Sequence, residues 1–341
     1  MQDIRKKAKE LMLGACRVCP VCDGRACAGE VPGMGGLGSG AAFKNNVQSL
    51  AALCLNMRLI HDAKSPCTKI SWLGMDLDLP VLASPIAGAA FNFKEAVAEG
   101  QYVKAVLEGC RDAGTVGCTG DGAPPTIIDA ALAGLADVGG MGIPFLKPWE
   151  SNELDEKLER VFAAGCKVVG IDLDAAGLIT LAKMGRPVGP KSQAELRNIV
   201  QKIHAAGAKF IAKGIMTVRD AVLAVEAGVD CIVVSNHGGR VLEHAPGVAT
   251  VLPVIAKAVG RDISIMADGG VRNGADVLKF LALGADIVGI GRPITVAAVG
   301  GGREGVGEYL AHVRSELLQT MILTGCGSVA AIDETVLAST L

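Results

Sequence analysis

Asp230-Cys231-Ile232-Val233-Val234-Ser235-Asn236 is a short, almost unbroken apolar run that stops at polar residues. Ser264-Ile265-Met266-Ala267-Asp268-Gly269 and Asp286-Ile287-Val288-Gly289-Ile290-Gly291 repeat the design, and Gly274–Leu283 between them carries apolar residues at helical spacing. Strands this uniformly apolar are expected where a parallel sheet is covered on both faces. Working outward, further strands are expected at Val81–Pro85, Thr115–Thr119, Gly139–Phe145, Lys167–Asp174 and Phe210–Gly214, with helices at Leu154–Ala164, Ala194–Ala206 and Thr217–Ala227. Eight strand–helix repeats predict an α/β fold, a closed (β/α)8 TIM barrel over residues 81–341. A doubly wound open sheet is the alternative, but the first turn lacks a dinucleotide-type glycine pattern.

Residues 1–80 form an N-terminal extension expected to pack on the barrel. Ile4–Leu13 and Val47–Arg58 read as helices, and Cys16–Gly40 as a Gly/Cys-rich loop. Half of the 341 residues are apolar but only 3% are aromatic, so Ala, Val, Leu and Ile must fill the core. A net charge of −2 gives no basic footprint for nucleic acid. No stretch reaches the roughly 18–20 apolar residues that span a bilayer. The charged N-terminus has no signal-like apolar core behind it, so the chain reads as cytoplasmic. Cys110, Cys118, Cys166 and Cys231 fall in core segments, as small buried hydrophobes do in a reducing compartment.

Catalytic loops in such barrels follow the C-terminal ends of the strands. Asp172, Asp174, Lys213, the run Ser235 to Arg240, Asp268 to Arg272, and Arg292 all sit there. Asp268-Gly269-Gly270-Val271-Arg272 and Gly291-Arg292 offer glycine amides, two arginines and following helix N-termini, which suit a phosphate. His237 accepts a proton near neutral pH, and Arg240 grips a carboxylate through paired hydrogen bonds. Asp174 orients the imidazole in the manner of a triad, and Asp172, two residues earlier, points to the same side. Lys213, at the end of the fifth strand, is either a solvated strand terminus or a cation able to stabilise charge developing on a cofactor ring.

These segments resemble the FMN-dependent 2-hydroxy-acid oxidase and dehydrogenase family, which includes glycolate oxidase, lactate oxidase and mandelate dehydrogenase. The likeness runs from about Asn45 to the C-terminus and is most specific over Lys209–Arg292. It implies FMN, with its phosphate on Gly270, Arg272, Gly291 and Arg292 and its ribityl chain near Asp268. Ile86 and Ala87 would face flavin N5 and Lys213 the N1/O2 edge, with Thr119, Ser235 and Gly269 completing the cofactor set. The implied activity is oxidation of a small (S)-2-hydroxy acid to the 2-oxo acid. His237 would act as base, a hydride equivalent would pass to flavin N5, and Arg240 would hold the substrate carboxylate. A homo-oligomer, favouring a tetramer, is implied as well.

Departures from the family pattern fall on the substrate side. The third strand ends Ile143-Pro144-Phe145-Leu146-Lys147, without the family's Gln and Tyr, and the chain's two tyrosines, Tyr102 and Tyr309, lie elsewhere. Asp172 stands where the family usually has threonine, and Arg186 is the candidate for a second arginine after the fourth strand. An FMN-dependent isomerase of the type 2 isopentenyl diphosphate kind is therefore an alternative, with Lys44, Arg58 and Gly35–Gly40 available for a diphosphate. A non-catalytic binding barrel is the third reading. Cys16, Cys19, Cys22 and Cys27 form C-x2-C-x2-C-x4-C, a spacing able to ligate zinc or an iron–sulfur cluster. A glycine-rich cap with incidental or redox-active cysteines is the favoured reading, and no metal is assigned.

Overall fold

A computed structural model describes residues 1–150, 152–186 and 188–338. The chain opens with α1 (Gln2–Leu11), α2 (Ala41–Ala51) and an antiparallel hairpin, β1 (Ile70–Trp72) and β2 (Met75–Leu77). Eight parallel strands follow: β3 (Val81–Ile86), β4 (Gly117–Thr119), β5 (Ile143–Leu146), β6 (Val168–Asp172), β7 (Lys209–Ile215), β8 (Cys231–Val234), β9 (Ser264–Asp268) and β10 (Ile287–Ile290). β10 pairs with β3, Val288 opposite Val81, and the barrel closes. Short helices α3 (Ala89–Asn92) and α7 (Ile179–Lys183) lie in the loops after β3 and β6. The outer layer is α4 (Glu99–Asp112), α5 (Pro125–Asp137), α6 (Asn152–Ala163), α8 (Gln193–Ala205), α9 (Val218–Ala227), α10 (Val248–Val259), α11 (Gly274–Ala282) and α12 (Arg292–Thr324). The expected (β/α)8 architecture is the one observed.

Helix starts follow their capping residues. Ser192 and Glu195 form a reciprocal capping box at α8, while the Thr217 and Asn273 side chains accept from the third amide beyond them at α9 and α11. No helix among the described residues is long and apolar enough to cross a membrane.

Side-chain alternation along the strands creates two cores. Ala212, Ile232, Val234 and Ala267 face outward into the helical layer. Leu82, Cys118, Phe145, Val168, Ile211, Val233, Met266 and Ile287 fill the barrel interior. Gly170 is needed there, because a Cβ at that position would come within 2.3 Å of the Phe145 ring. The β1–β2 hairpin, absent from the sequence-based expectations, plugs the floor. Trp72 and Leu77 join the interior cluster, and Trp72 Nε1 donates to Ser264 Oγ at 2.8 Å.

Three expected boundaries change. The second helix starts at Ala41 and ends at Ala51, because the chain beyond it bonds to the C-terminal segment instead: Asn56 N donates to Val336 O (2.8 Å) and Leu55 bridges Leu337. β5 begins at Ile143, since Gly139 and Gly140 turn with φ of 64° and 77°. β6 stops at Asp172, and Asp174 sits in the 3-10 turn Leu173–Gly177.

Trp72→Ala should open a void in the barrel floor and lower the unfolding free energy by about 3–5 kcal/mol. A urea midpoint unchanged from the native chain would show that the hairpin is not part of the core.

Candidate active site

The interior alternation sets the chemistry at the C-terminal end of the strands. Lys213 continues the inward register of Ile211, Asp268 that of Met266, and Asp172 that of Val168 and Gly170. Lys147 stands two residues beyond inward Phe145. Hydrocarbon thus gives way, one layer up, to buried ionisable groups. Lys147 Nζ donates to Asp172 Oδ2 at 2.5 Å, and Lys213 Nζ lies 3.0 Å from Asp172 Oδ1 and 3.6 Å from Asp174 Oδ2. Burial alone would push Asp172 up, but Lys147 and then Lys213 outweigh it and hold the carboxylate ionised. Burial likewise pulls Lys213 down, and Asp172 and Asp174 reverse the shift.

His237 follows β8 in a tight turn, at φ 57°, and its amide donates to Ser235 Oγ (3.1 Å). Its Nδ1 is 2.9 Å from Asp174 Oδ1 and 3.2 Å from Lys213 Nζ. The shorter contact to a carboxylate places the proton on Nδ1, because a bare Nδ1 would set its lone pair against Asp174. Nε2 is then the basic nitrogen. Burial, with Lys213 adding to it, draws the imidazole below its ordinary value, and Asp174 acts in the opposite sense.

Asn236 anchors this turn from beneath. Its amide exchanges hydrogen bonds with Asn46 of α2 (2.7 and 3.0 Å), and its Oδ1 accepts from Gly239 N at 3.1 Å. Sequence reasoning missed this pair, which joins residues far apart in the chain. It also missed Asp121, which accepts from Trp149 Nε1 (2.6 Å) and Lys157 Nζ (2.9 Å) and fixes the loop after β4 against α6.

Ile86, Ala87, Lys213, His237, Arg240, Asp268, Gly269, Gly270, Arg272, Gly291 and Arg292 all line one cavity of about 280 Å³ at the barrel mouth. Asp174 stands behind His237, and Ser235 is fully buried behind the wall, where it supports the His237 turn. Gly269 and Gly270 have φ of 102° and 93°, conformations that leave them glycine. Three buried polar atoms of cavity-lining residues have no hydrogen-bond partner among the described residues: Ser84 Oγ, Asp268 Oδ1 and Arg272 Nε. A hydroxyl, an acceptor and a guanidinium N–H are the groups that a ribityl chain and a phosphate would satisfy, so the residues present fit FMN. Thr119, expected in the cofactor set, does not line the cavity, because it follows inward-facing Cys118 and alternation turns it away. Ser84 was not anticipated, although it shares the inward register of Leu82.

The arginines are less free than the sequence suggested. Arg240 Nη1 donates to the carbonyls of Gly33 and Gly35, and Nη2 donates to Asn92 Oδ1 at 2.9 Å. Arg292 donates to Met34 O (2.7 Å), Gly35 O (3.0 Å) and Gly238 O (3.1 Å) and lies 3.8 Å over the Phe43 ring. Arg272 donates to Cys22 O at 3.0 Å. Carbonyl oxygens do not cancel charge. Burial and then Arg292 pull Arg240 down to about 9, and burial pulls Arg292 to about 10. Both stay cationic at neutral pH, so the mouth carries positive charge that an anion relieves.

Two expectations on the substrate side fail. Arg186 is paired with Glu153 (2.5 and 2.6 Å) and does not line the cavity; Lys183 of α7 does. Lys44 and Arg58, which a diphosphate would have needed, do not line it either, and Arg58 binds the carbonyl of Thr335.

Comparison with known proteins agrees with this geometry. The family model for FMN-dependent dehydrogenases matches residues 33–204 and 191–339. An L-lactate oxidase of Lactobacillus jensenii is 33% identical over 315 residues, covering 84% of this chain and 75% of that protein. The 2-hydroxyacid oxidase 2 of Mus musculus is 29% identical over 321 residues, 86% of this chain and 89% of its own. Among solved structures, mandelate oxidase with (S)-2-phenylpropionate superposes with a TM-score of 0.78 at 28% identity, over 100% of this chain and 98% of that one. A mandelate oxidase variant holding a monooxide FMN adduct gives 0.74 at 29%, over 94% and 100%. These matches favour the hydroxy-acid oxidase reading over the isomerase, and the chain belongs to the FMN-dependent dehydrogenase family, an oxidoreductase with FMN as its cofactor.

Proposed function

We propose that the protein oxidises a 2-hydroxy acid with an apolar side chain to the 2-oxo acid, with His237 as the base. The observation that carries this is the buried His237–Asp174 contact at 2.9 Å, which leaves Nε2 as the basic nitrogen of a residue lining the cavity. Bound FMN supplies the two-electron acceptor. Phosphate would lie on Gly270, Arg272, Gly291 and Arg292, with Asp268 and Ser84 available to the hydroxyls. Lys213 supplies fixed positive charge that stabilises negative charge developing on a bound ring.

His237 takes the proton from the substrate hydroxyl or α-carbon, and Asp174 stabilises the imidazolium that results. Arg240 has five N–H groups and spends three on Gly33, Gly35 and Asn92. Its remaining two form an edge for the substrate carboxylate. Met34, Phe91, Ile127, Leu181 and Met184 line the same cavity, and they favour an apolar substituent over a bare glycolate.

An anaerobic screen of 2-hydroxy acids for bleaching of bound FMN tests the activity. His237→Ala should slow bleaching by about 10²–10⁴-fold with the yellow cofactor still bound; an unchanged rate would remove His237 as the base. Because burial and Lys213 lower the imidazole, the acid limb of kcat/KM should lie below pH 6.5, the ordinary histidine value. Asp174 raises the imidazole, so Asp174→Asn should move that limb to still lower pH while reducing the plateau. A limb moving upward would contradict the charge arrangement. Arg240→Met should lower kcat/KM for the acid by about 10–100-fold, the loss of a charge-assisted hydrogen bond of roughly 1.5–3 kcal/mol. The corresponding 2-hydroxy amide should be much less affected, and equal losses on acid and amide would separate Arg240 from carboxylate recognition.

A further inference from the structure

The Cys16–Gly40 loop holds chemistry that the proposed oxidation does not use. Cys16, Cys19, Cys22 and Cys27 are all half-buried free thiols, whereas Cys54 and Cys67 are exposed. The loop is pinned at several points. Arg5 Nη2 donates to Cys19 O (2.7 Å), Arg17 forms a two-point ion pair with Glu30, and Val18 turns with φ 45° so that its amide reaches Cys16 Sγ at 3.4 Å. Arg272 Nη2 donates to both the carbonyl and the sulfur of Cys22, at 3.0 and 3.5 Å. The thiols lie near enough to influence one another as charges, Cys16 with Cys19 and Cys22, and Cys27 with Cys16 and Cys22, and Arg292 acts on Cys16 and Cys27 in the opposite sense.

A single tetrahedral zinc, with Zn–S bonds of about 2.3 Å, requires thiolates about 3.8 Å apart. Among the described residues no three cysteine sulfurs lie within 4.8 Å of one another, and the one group of three potential ligands that does is Asp172, Asp174 and His237. An iron–sulfur cubane spans a wider set, because irons and sulfides stand between the four thiolates. C-x2-C-x2-C with a nearby fourth cysteine is a cubane-binding spacing. Four thiolates on a [4Fe–4S]2+ core leave two net negative charges, and Arg5, Arg272 and Arg292 bring positive charge to the loop from outside it.

We propose that Cys16, Cys19, Cys22 and Cys27 ligate a [4Fe–4S] cluster at the phosphate end of the cofactor cavity. The cluster would fix the Cys22 carbonyl on Arg272 and, through the continuing chain, the Met34 and Gly35 carbonyls on Arg292. Its place beside the phosphate rests on the FMN reading above; ligation by the four thiolates does not.

The full chain purified without oxygen, or reconstituted with ferrous iron and sulfide, should carry about four irons and four acid-labile sulfides per chain. Reduction by dithionite should give the electron paramagnetic resonance signal of a reduced cubane. Cys19→Ser should lose most of the iron, and Cys54→Ser, at an exposed thiol, should keep it. Iron and sulfide absent from the reconstituted native chain, or zinc alone at one per chain, would overturn the proposal. FMN content is measured on the same samples. Cluster without FMN would overturn the placement beside phosphate, and FMN without iron would overturn the cluster alone.

Discussion

Asp172 is clamped between two buried lysines, and the barrel mouth depends on that balance. Beneath the site the closed parallel barrel is filled with Phe145, Ile211, Val233 and Met266. Alternation then turns the next inward positions toward the mouth, and on several strands these are buried ionisable groups: Lys147, Asp172, Lys213 and Asp268. An isolated charge there would be strongly penalised, and it persists only when paired. Lys147 and Lys213 stand against Asp172 and Asp174, and Asp172, Asp174 and Lys213 keep their charge because of these neighbours. A neutral, oriented His237 follows from this arrangement: burial and the nearby lysine discourage a second cation, and Asp174 holds the ring in place.

That layer was partly legible in the sequence. Apolar runs ending in Asp172, Lys213, Asp268 and the Ser235–Arg240 segment revealed both the strands and the polar mouth, because a single strand encodes its own alternation. Asp174 was expected on the strand and sits in a turn beyond it, yet its carboxylate still reaches His237. Lys147 was noticed only as the end of a strand that lacks the family's Gln and Tyr, and its role as the partner of Asp172 was not read. Ion pairs between neighbouring strands depend on register, which no local pattern contains.

Long-range pairings were illegible for the same reason. Asn46 and Asn236 exchange amide hydrogen bonds across 190 positions, and nothing near either residue announces the other. The β1–β2 hairpin has three residues per strand, too short for periodicity to declare itself. α2 lay earlier than its apolar pattern suggested because the chain after Ala51 gains backbone partners at the C-terminus. Arg186 looked free in sequence and is held by Glu153. Side-chain type indicates what a residue can do, and only the fold decides which partner it meets first.

The N-terminal segment completes the site in a way that neither the barrel nor the motif would on its own. Gly33, Met34 and Gly35 present carbonyls to Arg240 and Arg292, so one stretch of backbone orients the cation proposed for the substrate and a cation proposed for the cofactor. Phe43 lies under Arg292, and Gly239 must remain glycine because a Cβ there would come within 2.3 Å of the Phe43 backbone nitrogen. Since carbonyls orient a guanidinium without neutralising it, the two arginines stay aimed and electrostatically unsatisfied. Any displacement of this segment would therefore act on both proposed anion sites together, although they rest on different arginines.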